Sequence, residues 1–110
     1  MTEKAAKYLA DVLRAIDLIE EFSEATPNFY AYQKDLKTKS AIERQLAIVG
    51  EAVNQYLKES PKVELSNARK IVDFRNRLIH SYDNVDDSMV WVVLKKHLPT
   101  LQQEIEDALS

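Results

Sequence analysis

The chain has 110 residues, 45% of them hydrophobic and 30% charged, with a formal net charge of −3 and no cysteine. That length predicts one domain over residues 1–110. The acidic balance argues against a general nucleic-acid coat protein or a polybasic membrane binder, and the missing cysteines exclude disulfides, zinc ribbons and thiol nucleophiles. No apolar run reaches membrane-spanning length and the start carries no signal-peptide core, so a cytoplasmic protein with no membrane contact is expected.

One glycine and three prolines leave few helix breakers, and the apolar spacing is helical nearly throughout. From about Lys4 to Ala25, Leu9, Val12, Leu13, Ile16, Ile19 and Phe22 form one stripe, and Thr26-Pro27-Asn28 ends it. Residues 29–36 are aromatic (Phe29, Tyr30, Tyr32) and form either a brief helix or a packed connector; packing explains these rings better than base stacking. A second long helix runs from near Lys39 to Glu59. Ser40-Ala41-Ile42-Glu43 fits a capping box there, and a start one turn earlier at Asp35 also fits. Its stripe is Ile42, Leu46, Val49, Val53, Tyr56 and Leu57. Gly50 interrupts it at a cost of roughly 1 kcal/mol relative to alanine, which points to a close approach by another helix or subunit.

A third long helix is predicted from Leu65 to about Ile79, capped by Ser66 or Asn67, with Ile71, Val72, Phe74, Leu78 and Ile79 on its apolar side. An acidic turn over 83–87 follows, and Asp86 or Asp87 caps the last helix. That helix carries Val90, Leu94, Leu98, Leu101, Ile105 and Leu109 on one face, and Pro99 should kink or split it. The fold class is therefore all-α: an up-and-down bundle of four to five helices with short connections.

Function concentrates in Arg75-Asn76-Arg77-Leu78-Ile79-His80-Ser81-Tyr82. Residues 61–80 hold Lys62, Arg69, Lys70, Arg75 and Arg77 against Glu64 and Asp73, a local balance of +3 in an acidic chain. Guanidinium groups suit phosphate oxygens, and an imidazole exchanges protons near neutral pH. Asn76 and His80 share a helical face, whereas Arg75 and His80 stand about 140° apart. Two copies of this helix end, facing each other in a homodimer, would pool the groups that one chain keeps apart. Imidazole beside guanidinium, without a metal-ligand set, suits metal-independent phosphodiester cleavage in RNA. His80 would act as general base on the 2′-hydroxyl or general acid on the leaving oxygen, and Arg75 would stabilise the phosphorane. DNA lacks that hydroxyl and is not expected to be cut. A helix-end histidine also serves as a cap or packing residue, and His97, beside Lys95 and Lys96, reads as a surface or last-turn residue. Two histidines without matched acids give no metal site, and no cofactor is expected.

The pattern Arg75-x4-His80-x-Tyr82 resembles the signature of the HEPN superfamily. Its surroundings resemble the HepT branch: residues 41–46 leading into Ile48-Val49-Gly50-Glu51-Ala52, the run 74–80, and Val90-Trp91 followed by Leu98-Pro99-x-Leu101. The resemblance implies a helical HEPN bundle, dimeric, with Arg75 and His80 of both subunits lining an interface cleft. Asn76 and Arg77 would support them. It also implies a ribonuclease toxin of a type VII-like toxin–antitoxin pair. The implied antitoxin is an MntA-like minimal nucleotidyltransferase that transfers AMP from ATP to Tyr82. Tyr82 lies seven residues beyond Arg75 and would return nearly to its azimuth if the helix ran on. Family members often carry an aromatic residue after that tyrosine, where this chain has Asp83. A non-catalytic HEPN module that binds the nucleotidyltransferase or its nucleotide, and a plain dimeric helical scaffold, are the competing readings.

Overall fold

Helix α1 (Glu3–Ser23) begins where the Thr2 hydroxyl accepts from the Ala5 amide at 3.0 Å, satisfying one of the amides that a helix start leaves open. These contacts come from a computed structural model that describes residues 1–110. The chain is all helical: α2 (Phe29–Lys34), α3 (Leu36–Lys58), α4 (Ala68–His80), a 3-10 turn over Tyr82–Asn84, α5 (Asp87–Val92), a π-helical stretch over Val93–His97, and α6 (Leu98–Leu109). No helix is long and apolar enough to cross a membrane.

The contacts fix the directions of the helices. Lys4 at the start of α1 reaches Glu59 just past the end of α3, at 3.9 Å, so α1 and α3 run antiparallel. Arg75 meets Glu51, and Tyr82, further along the chain, meets Glu43, further back on α3; α4 therefore runs antiparallel to α3 as well. Ser66, just before α4, is held from α6 by Glu104, which accepts from its amide and its hydroxyl. This is an up-and-down bundle, as the apolar spacing predicts. Its core draws Leu9, Val12 and Ile16 from α1, Ile42, Val49 and Val53 from α3, and Leu98, Leu101 and Ile105 from the last helix.

The structure chooses among the sequence alternatives. Helix α3 starts at the earlier position: Asp35 accepts from the Thr38 amide and hydroxyl at 3.0 and 2.7 Å, and Ser40 lies inside the helix rather than capping it. One aspartate that satisfies two donors outcompetes a serine whose helix is already under way. Helix α4 starts at Ala68, three residues later than the apolar pattern predicts, and Asn67 makes no side-chain cap. Leu65 is buried from the preceding turn, so its apolarity marks the core and not the helix. Ile79 and Leu109, read as apolar-face residues, are 48% and 40% exposed; both lie in the last turn of their helices. Ser60 has φ 49° as α3 ends before Pro61.

Residues 29–34 form a helix, and their rings are packing residues. Phe29 and Tyr32 each lie 5.7 Å from the Trp91 ring, docking α2 on α5. Pro99 lies in the first turn of α6, directly after the π-helical stretch. Proline has no N–H to donate and its ring crowds the turn before it; the wider π turn takes up that mismatch, and α6 restarts with the proline where its missing donor costs nothing.

Candidate functional site

Gly50 explains how α4 reaches α3. A Cβ at this position would stand 2.2 Å from Arg75 Cβ and 2.7 Å from Arg75 Cγ, inside any real contact distance. The missing side chain lets the Arg75 stem lie directly on α3. From there its Nη2 meets Glu51 Oε2 at 2.8 Å, and its Nη1 donates to Asn76 Oδ1 at 2.9 Å. Glu51 is itself oriented from the other side, where Gln55 Nε2 donates to its Oε1 at 2.9 Å. Arg75 Nε is buried and without a partner. The guanidinium is thus held in one orientation with donors to spare.

His80 is the last residue of α4 and is exposed. Its side chain makes no hydrogen bond or ion pair within the chain, and nothing links it to Arg75. Asn76 contacts Arg75 and not His80. Arg77 donates through Nη2 to the Asn84 carbonyl at 3.0 Å, so its guanidinium closes the turn that follows α4.

Tyr82 would return to the Arg75 azimuth only if the helix ran on, and α4 stops at His80. Ser81 leaves helical geometry with φ −140° and ψ 45°, and Tyr82 opens a 3-10 turn. Its hydroxyl donates to Glu43 Oε1 at 3.1 Å. Arg75 and Tyr82 both face α3, but their partners are eight residues apart, about 12 Å along the helix. The Glu43 carboxylate and its hydrogen bond raise the Tyr82 phenol above its ordinary pKa, with Lys39 opposing. Nearby, Lys39 Nζ grips Asp87 at 2.8 and 3.0 Å, and Asp86 accepts from the Met89 amide at 2.9 Å to cap α5. Two acids of the 83–87 turn are therefore engaged within the fold.

His97 is half-exposed and lines a groove with Lys70, Phe74 and Arg77 between α4 and the π-helical stretch. No three His, Asp or Glu side chains gather as a metal-binding group. Sequence reasoning missed Glu43 and Glu51. Their signal was two acids beside the strip that carries Gly50, the position already marked for a close approach.

A family model described as "Ribonuclease HepT-like" matches residues 12–108. The chain is 35% identical over 103 residues to a protein of Thermococcus cleftensis named "Probable ribonuclease HepT", covering 90% of each. It is 33% identical over 100 residues to a Methanocaldococcus jannaschii protein named "Gamma-glutamylcyclotransferase and putative RNase", covering 89% of this chain and 44% of that one. A second protein of that organism, named "Putative RNase", is 27% identical over 101 residues, 90% of this chain and 91% of its own. No solved structure matches the chain.

Proposed function

The chain belongs to the HepT-like ribonuclease family, and from that premise we propose that it is a metal-independent ribonuclease whose site is completed across a homodimer. The observation that carries the reading is the division of labour on α4. Arg75 is clamped against α3 with donors left over, while His80 stands free at the helix end. One chain offers half a site. Ile79, 48% exposed beside His80, gives a second copy an apolar surface to cover.

In the proposed reaction His80 removes the proton of the 2′-hydroxyl as that oxygen attacks phosphorus. The partner subunit's His80 protonates the departing 5′-oxygen, leaving a 2′,3′-cyclic phosphate. Arg75 offers its spare N–H groups to the charge that builds on the phosphoryl oxygens. Asn76 positions Arg75, and Arg77 supports the site by holding the turn that carries Tyr82.

The proposed setting is a toxin–antitoxin pair in the cytoplasm. An MntA-like nucleotidyltransferase adds AMP to Tyr82, placing a bulky anion beside the dimer cleft and blocking RNA. The second reading, a non-catalytic module that binds the nucleotidyltransferase or its nucleotide, is favoured by the Glu51–Arg75 pair, because the guanidinium already has a carboxylate partner.

Cleavage separates the two readings. Unmodified protein, incubated with RNA in excess EDTA, is expected to cut it and to spare DNA of the same sequence. His80→Ala and Arg75→Ala should each lose on the order of 100-fold or more in rate. Intact RNA with the unmodified protein, or equal cutting by all three proteins, refutes the ribonuclease site.

A further inference from the structure

Tyr82 Oη has one hydrogen-bond partner in the fold, the Glu43 carboxylate at 3.1 Å. The pair lies in a polar cluster built from three helices. Lys39, one turn before Glu43 on α3, holds Asp87 at the start of α5. Tyr32 of α2 is fully buried with an unpartnered hydroxyl, and its phenol is pushed up by burial and then by the charges of Glu43, Asp87 and Tyr82. Glu43 likewise pushes the Tyr82 phenol above its ordinary value, and a tyrosine is protonated at neutral pH even without that push. A preformed phenolate is therefore not the nucleophile at this position. The proton has to leave while the new bond forms, and it needs an acceptor already in place.

Resting on the reading of Tyr82 as the modified residue, we infer that Glu43 is the general base of its own modification, so that the substrate protein supplies the proton acceptor and the nucleotidyltransferase supplies the nucleotide. The Tyr82 oxygen forms a bond to the α-phosphorus of a nucleoside triphosphate. The bond from that phosphorus to the oxygen bridging to the β-phosphorus breaks, and pyrophosphate departs with the electron pair. The phenolic proton passes to Glu43 Oε1 and then to water. Protein kinases use an aspartate in the same way to take the proton of an attacking hydroxyl. Afterwards the tyrosine oxygen has no proton to donate and carries a phosphodiester anion facing the Glu43 carboxylate. The contact with α3 cannot survive that repulsion, so the modified side chain moves off α3.

The test uses the full chain, an MntA-like nucleotidyltransferase and MgATP, with intact mass followed over time. Glu43→Gln keeps an acceptor oxygen for the phenol and removes its basicity. The rate of AMP addition should fall by about 100-fold or more, with KM for ATP unchanged and helical circular dichroism retained. Glu43→Asp should fall between the two. Addition at the wild-type rate in Glu43→Gln, or an Asp variant no faster than Gln, overturns Glu43 as base and leaves the Tyr82 reading intact. Wild-type protein that gains no AMP, or Tyr82→Phe that gains as much, defeats the Tyr82 reading itself, and this inference with it.

Discussion

Helix α3 packs most of its length against α1 and α4, sharing one apolar core with both, and the two contacts differ in the polar groups that the second adds. Toward α1 it buries Ile42, Val49, Val53 and Tyr56 against Leu9, Val12 and Ile16, all at 1% exposure or less. Toward α4 and the turn after it, the contacts that place the candidate site residues are polar: Glu51 to Arg75 and Glu43 to Tyr82. A buried aliphatic side chain contributes about 1.5–3 kcal/mol, whereas a partly exposed ion pair contributes about 0–1 kcal/mol. The first contact sets the shape of the bundle. The second holds the candidate site side chains through contacts weak enough that, on the proposed function, a phosphate could compete for them.

The largest effect that would sharpen this contrast pairs two isoleucines. Ile42→Ala, at a position with no exposure, should lose about 2–5 kcal/mol in urea denaturation. Ile79→Ala should change unfolding of the single chain by about 0.5 kcal/mol or less, yet weaken self-association measured by sedimentation if Ile79 lies in the proposed dimer. Equal losses of stability would erase the distinction between scaffold and site.

Gly50→Ala probes the seam, with a smaller effect. Helix propensity alone favours alanine by about 1 kcal/mol. Against that, the new methyl would meet Arg75 Cβ at 2.2 Å. That atom is anchored to the α4 backbone, so the helix and not merely a flexible tip must retreat, at a cost of about 1–3 kcal/mol. The steric term should win: lower stability and reduced RNA cleavage as the guanidinium shifts. A more stable, fully active variant would show that α4 does not depend on this close approach.

The same two regions differ in how far the sequence revealed them. The α1–α3 core was legible because its signal is periodic, and a buried stripe over 21 and 23 residues outweighs any local ambiguity. Gly50 was legible as a close approach because an interior glycine carries a cost that something must offset. The site was legible only in its residue types. That Arg75 and His80 stand apart follows from helix geometry, and the structure keeps them unlinked. The fate of Tyr82 did not follow, because it depends on where α4 stops. Arg77 closing the turn onto the Asn84 carbonyl, and Ser81 leaving helical geometry, are tertiary outcomes with no periodic signature. Glu43 read as half of a capping box and Glu51 as part of the run around Gly50; their partners, Tyr82 and Arg75, come from facing segments and have no local signature.

Acid sharpens the comparison with the smallest effect, because each region has an aspartate cap. Hydrogen bonds from the Thr38 amide and hydroxyl hold Asp35 below its ordinary value of 3.8, and those from the Ser88 hydroxyl and the Met89 amide do the same for Asp86. A carboxylate depressed in the folded state stabilises it fully above the unfolded pKa, and that contribution disappears as pH falls through the folded value. Both caps should therefore be intact at neutral pH and fail below about pH 4. Their consequences should differ. Asp35 starts α3, whose buried stripe runs through the whole core, so its protonation should lower the global melting temperature, and Asp35→Asn should flatten that decline. Asp86 starts the six-residue α5 beside Tyr82. Its protonation should appear as faster amide exchange at Met89 and its neighbours, with little change in melting, because local opening there leaves the α1–α3 core closed. If Asp86→Asn shifts the global transition as much as Asp35→Asn, the segment bearing the site folds as one unit with the scaffold, and the contrast along α3 is one of chemistry alone.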